Sequence, residues 1–95
     1  MKNENILKES ETLFLSGCLA QSLAGHDKGE YFIILSEAGD FVMLADGRLR
    51  TAEKPKRKKK KHIQIKKQPL ITEFPVKNEE IRKALKDYMK NHCGI

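Results

Sequence analysis

Tryptophan is absent from this chain, aromatic residues make up only 6% of it, and its 95 residues include two cysteines and three prolines. Each shortage excludes something. A chain of this length buries about 60 to 65% of its unfolded surface, so the core is small. So little bulky material is left over that a deep substrate cavity with a full shell of catalytic side chains is not expected. The two cysteines, Cys18 and Cys93, lie far apart and outside CxxC spacing. That suits two reduced thiols in a reducing compartment better than a disulfide framework. No apolar run approaches the roughly 20 residues that cross a bilayer, and the opening MKNENILKESET is too polar for a secretory leader. A cytoplasmic protein without a membrane partner is expected.

Chemistry-bearing patterns are equally scarce. Three histidines and two cysteines do not take zinc-ligand spacing, and AGHDKGE at 24–30 lacks the GxxxxGK[ST] spacing of a nucleotide-phosphate loop. His92 and Cys93 are neighbours only at the end of an expected helix. The expectation is a binding protein and not an enzyme, with no metal, no cofactor and no small-molecule substrate.

Acidic residues are nearly missing from one stretch. Between Arg48 and Lys67 there are eleven Lys or Arg and one acid, Glu53, whereas the rest of the chain carries eight basic and twelve acidic residues. The chain's net charge of +6 thus hides a strongly basic segment on a mildly acidic body. Such separation costs self-repulsion, which a polyanion laid over the segment relieves. The plainer alternative is a solvated, partly disordered lysine run that maintains solubility.

The pattern along the chain is mainly β. Residues 1–12 form a polar tail. Gly17 interrupts the apolar stretch after Thr12 as a bulge or strand start would, and a strand is expected over 18–23. YFIIL at 31–35 is an aromatic and β-branched run too short for a helix, typical of a strand buried on both faces. EAGD at 37–40 turns the chain and FVMLA at 41–45 answers it as the second arm of a hairpin. Asp46-Gly47 turns it again, so 48–52 is expected to return as a fourth strand that Pro55 ends. HIQIKK at 62–67 alternates Ile63 and Ile65 with polar neighbours as a half-buried fifth strand.

Beyond Pro69 and Pro75 the period changes. Asn78 is a natural N-cap, Glu79 and Glu80 suit the positive end of a helix dipole, and Ile81, Ala84, Leu85, Tyr88 and Met89 recur on one helical face. A helix is expected over 79–92, with Gly94 at its stop. Packing against the strands explains its apolar stripe more simply than a recognition helix does, since only Arg82, Lys83, Lys86 and Lys90 offer polar readout. The domain plan is therefore a tail (1–12), a β unit (13–68) that includes the basic run 54–61, and a linker with helix (69–95). Five short strands in about fifty residues close only as a small barrel or a strongly bent pair of sheets.

Gly17, an apolar strand, AGHDKGEYFIIL and a hairpin, in that order, resemble the KOW motif. The longer stretch through LADGRLRTAEKPKRKKKKH to NEEIRKAL resembles the small bacterial KOW-domain RNA-binding proteins, which are related to KOW-bearing large-subunit ribosomal proteins. The resemblance covers residues 17–67 well and the helix more loosely. It implies a five-stranded SH3-like (KOW-type) barrel with a C-terminal α-helix, and it places the KOW glycine on Gly29, with 25–28 as the loop such domains present to RNA or protein. Cys18, Leu19 and Ala20 stand where the first strand of the family more often has bulkier or β-branched residues.

The candidate interface follows from both readings. Gly25 and Gly29 allow the chain to reverse at positive φ while the loop amides stay exposed, so that these amides can hold phosphate oxygens beside His26 and Lys28. A hairpin turn with solvated charges is the alternative. Arg48, Arg50, Lys54 and Lys56 begin the basic segment, Arg57, Lys58, Lys59, Lys60 and Lys61 continue it, and Lys66 and Lys67 close it. Lysine neutralises phosphate without reading sequence and gives a steep salt dependence. The preference for RNA over DNA rests on the resemblance. Because Tyr31, Phe32 and Phe41 are expected in the core, aromatics for stacking unpaired bases are scarce. Structured RNA such as ribosomal RNA, or the ribosome, is the expected partner. The rival function is a protein-interaction module of a translation or transcription complex, docked through the C-terminal helix; a polybasic membrane patch lacks any anchor.

Overall fold

In a computed structural model of the protein, which describes residues 15–92, five strands and one long helix account for most of the described residues. The strands are β1 (Cys18–Ser22), β2 (Tyr31–Ala38), β3 (Phe41–Ala45), β4 (Lys56–Lys59) and β5 (Ile63–Pro69), and the helix is α1 (Asn78–His92). They form one antiparallel sheet in the order β4-β3-β2-β1-β5. β4 and β5 lie on opposite edges of that sheet, yet only a 3-10 turn, Lys60–His62, joins them. In a flat sheet the two edges would stand about 19 Å apart, four strand spacings, whereas three residues of 3-10 helix advance about 6 Å. The sheet therefore curls until its edges approach, which makes it barrel-like.

Period-2 alternation sorts the apolar residues onto the two faces. Cys18 and Ala20 of β1, Phe32 and Ile34 of β2, Val42 and Leu44 of β3, and Ile63 fill the concave side. Ile33 and Ala45 point the other way and meet Ile71, Val76 and Ile81, with Ala84 and Leu85 packed alongside. β2 is thus buried on both faces, which explains its unbroken apolar run. Each Val, Leu, Ile or Phe side chain among them contributes about 1.5 to 3 kcal/mol when taken from water. The helix covers the outer face through the stripe expected of it, and Tyr88 leans on Tyr31 at 5.7 Å between ring centres.

Four sequence expectations are corrected. The segment 48–52 is not a strand. Asp46 Oδ1 accepts hydrogen bonds from the amides of both Arg48 and Arg50, each at 2.9 Å, and this side-chain bridge folds the segment into a compact loop. The fourth strand is instead KRKK itself, in register with 41–44 of β3. The turn expected over 37–40 narrows to Gly39-Asp40, because β2 continues to Ala38 opposite Phe41. Asn78 does not cap the helix with its side chain: the carbonyl of Lys77 receives the first helical amides, and Glu80 reaches back to the Lys77 N–H at 3.0 Å. The tail 1–12, Cys93 and Gly94 lie outside the described residues.

Gly17 joins the sheet to the linker before the helix. It adopts φ +89°, its amide donates to the carbonyl of Ile34, and its own carbonyl accepts from Leu70 and Ile71. A Cβ at this position would lie 1.9 Å from the carbonyl oxygen of Ile71, whereas at Gly39, φ +59°, it would meet nothing within 4 Å. Gly39→Ala is therefore expected to cost only the left-handed backbone strain, about 1 to 2 kcal/mol. Gly17→Ala should cost at least about 3 kcal/mol, since strain and backbone displacement combine. Urea unfolding midpoints of the two variants measure the difference, and equal losses would contradict the close approach.

Candidate nucleic-acid interface

A strand of four cations repels itself unless alternate side chains find anions. In β4 they do. Lys56 and Lys58 both turn to Asp27 at 2.7 Å, and Lys60, just past the strand, pairs with Glu37. Arg57, Lys59 and Lys61 occupy the intervening positions and are exposed. Arg57 lays its guanidinium over the Phe41 ring at 3.9 Å, a cation–π contact that leaves its N–H edge available. Among the described residues neither Lys59 nor Lys61 pairs with a carboxylate. The basic run is thus two rows, one neutralised and one presented to solvent.

Asp27 holds three elements together. Its Oδ1 accepts from Ser22 Oγ at the end of β1 and from Lys58 Nζ of β4, each at 2.7 Å, while Oδ2 faces Lys56. Lys58 also donates to the carbonyl of Ala24 at 2.8 Å. Burial on its own raises the Asp27 carboxyl, but the hydrogen bonds from Lys56, Lys58 and Ser22, with the Lys56 charge, outweigh it and hold the group well below the usual carboxylate range. The loop 25–29 is therefore fixed against the edge strand by a partly buried ion pair.

Gly25 and Gly29 do take positive φ, +87° and +91°. The amides at the end of the loop, however, are occupied. Lys28 N–H donates to Gly25, Gly29 N–H to Ser22 and Glu30 N–H to Asp27, so these three groups close the turn instead of standing open to acceptors. What the loop presents is side chains: His26 and Lys28 are exposed. The reason is local, since a turn this tight brings its own carbonyls to its amides before any ligand can.

A second loop, 46–54, is docked on the helix. Gly47, at φ +80°, passes so near α1 that a Cβ there would lie 2.6 Å from the Asn78 carbonyl oxygen. Arg82 Nη1 donates to the Gly47 carbonyl at 2.7 Å, and Asn78 accepts from the Ala52 amide at 2.7 Å while donating to Glu53. That last bond, ahead of the others, draws the Glu53 carboxyl below its ordinary value. Arg48, Leu49 and Arg50 stand at the loop's tip, and Leu49 is 87% exposed. Lys54 is exposed nearby. The structure thus gathers loop 25–29, the start of β4 and the 46–54 loop around one end of β3, while Lys66 and Lys67 sit on β5 at the opposite edge.

Two features of this region escape the sequence: the division of the lysines into rows, and a hollow between the sheet and α1. The hollow, about 530 Å³, runs from Gly29 and Tyr31 to Arg48 and Met89. Compared with known proteins, the chain matches no family model and no curated protein.

Asp27→Asn is expected to lower stability at neutral pH by about 2 to 4 kcal/mol, toward the low side for a broken buried pair because Lys56 remains partly solvated. The sign with pH follows from the depressed carboxyl. An unfolded Asp titrates near pH 3.9, so the Asp27 contribution is complete above about pH 5 and is lost as pH falls through the lower folded value. Denaturant titrations of both proteins between pH 7 and pH 2 should show a constant gap that narrows only in acid. A gap that widens in acid would contradict the ion pair.

Proposed function

We propose that this protein binds structured RNA, of the ribosomal kind, by its phosphate backbone, using the exposed cations beside the neutralised row. The observation that carries this reading is the alternation in and after β4. Lys56, Lys58 and Lys60 meet carboxylates of the same chain, while Arg57, Lys59 and Lys61 project from the same segment without one among the described residues. Alternate residues of a strand stand about 6.6 Å apart, so Arg57 and Lys59 begin a line of charge fixed by backbone pairing, which Lys61 continues from the 3-10 turn. A line of this kind meets a polyanion without first ordering a flexible arm, which lowers the entropic cost of binding.

His26, Lys28, Arg48, Arg50 and Lys54 extend the positive surface around the end of β3, and two arginines among them add planar groups that engage phosphate bidentately. Affinity of this kind positions the nucleic acid and carries no base sequence. The choice of RNA over DNA is supported by the resemblance of residues 17–67 to KOW-domain RNA-binding proteins, as is the choice of a ribosomal target.

Replacing Arg57, Lys59 and Lys61 together by Gln should weaken binding to a ribosomal RNA fragment by about 10- to 100-fold near 0.1 M salt. The slope of log K against log salt should shrink by about 2 to 3, close to one for each phosphate that is no longer neutralised. Fluorescence anisotropy across a salt series measures both, and the variant should remain folded, losing no more than the roughly 0.5 to 1 kcal/mol of the Arg57–Phe41 contact. Equal binding of heparin, duplex DNA and structured RNA at physiological salt would sink the RNA reading.

A further inference from the structure

We infer that the hollow between the sheet and α1 takes one unpaired nucleotide of the bound RNA, the base entering the apolar part and its flanking phosphates resting on the cationic rim; this rests on the RNA-binding reading above. Tyr31, Leu85 and Met89 supply the apolar walls of the roughly 530 Å³ space, a size suited to a small planar ligand. The Tyr31 ring is held in place by Tyr88, and Met89 is 39% exposed. Thioether and aromatic faces accept any base without reading its edge.

The rim is charged in the sense a nucleotide needs. Arg48, Arg82 and Lys86 line it against two acids, Glu30 and Asp46. One acid is partly satisfied, because Asp46 Oδ1 already accepts two backbone amides. Arg82 is steadied by its bond to the Gly47 carbonyl, so a guanidinium is fixed at the rim before any ligand arrives. Position joins this hollow to the proposed phosphate row. Gly29 and Glu30 border it, while Asp27, two residues earlier in the same loop, is tied to Lys56 and Lys58 of β4. One loop thus has the hollow on one side and the edge strand on the other, and an RNA backbone running along the strand passes the mouth of the hollow. Duplex bases are stacked and cannot enter; a bulged or looped-out base can.

The test compares two RNA hairpins of identical stem, each closed by a non-nucleotide linker so that neither has loop bases, one with a single bulged nucleotide and one fully paired, by anisotropy at fixed salt, with the methyl NMR signals of Leu85 and Met89 observed in parallel. Wild-type protein should bind the bulged hairpin at least 10-fold more tightly and shift both signals. Met89→Glu, at an exposed position, should abolish the preference and retain affinity for the paired stem. The Arg57, Lys59 and Lys61 triple Gln variant should weaken both hairpins while keeping the preference. Equal binding of the two hairpins by wild-type protein overturns the nucleotide site and leaves the RNA reading standing; failure to bind either overturns both. Signals that stay put with the bulged hairpin but move with an acidic, leucine-anchored peptide overturn the assignment in favour of a protein-docking groove.

Discussion

A carboxylate in the middle of a basic protein decides how this molecule is put together. Asp27 sits where the end of β1, the Gly-closed loop and the edge strand converge, and it receives Ser22, Lys58 and Lys56 within a space that excludes most water. Without that anion the inward lysines of β4 would be partly buried and unpaired, and such charges cost several kcal/mol. With it, a four-residue strand that contains no apolar side chain can hold its place on the sheet. Glu37 repeats the device one step further on, beyond the strand, by pairing with Lys60. Since β4 leads directly through Lys60–His62 into β5, holding β4 also holds the curl that encloses the concave core.

The same arrangement separates structural charge from available charge. Where a segment carries cations at every position, formal charge overstates what a ligand meets, because alternate members are already neutralised within the fold. Arg57 and Lys59, the remaining members in β4, inherit the regular spacing and rigidity of the strand. The docked 46–54 loop follows a similar logic by other means: Asp46 organises its tip from within, and Asn78 and Arg82 of the helix hold its base, so Arg48 and Arg50 are displayed on an ordered support.

Much of the β architecture is legible from local pattern. YFIIL and FVMLA have the composition and spacing of a hairpin, HIQIKK alternates, and Ile81, Ala84 and Leu85 of the helical stripe pack as its period demands, whereas Met89 at its end is exposed. The strand between them is where local pattern misleads. RLRTA alternates in a strand-like way, but Asp46 captures two of its amides, a competition that periodicity does not register. KRKK has no apolar residue to signal burial, and its partner Asp27 lies some 30 residues upstream. Charge segregation therefore locates the candidate interface, whereas the division of its members requires the tertiary pairing. Tyr31, expected in the core, is half-buried, with its ring at the border of the hollow. The glycines that turn at 25 and 29 are readable from sequence, while the use of the neighbouring amides within the turn is not.

An edge strand also has a hazard of its own, since its outer row of backbone groups is a template on which the strand of another molecule can pair. β4 meets that hazard with the composition that serves the rest of the fold. Two copies approaching edge to edge would bring Arg57 and Lys59 of each against the other, and like charges at strand spacing repel. On the proposed reading, the cations offered to a polyanion are thus the same ones that oppose edge-to-edge pairing of two copies.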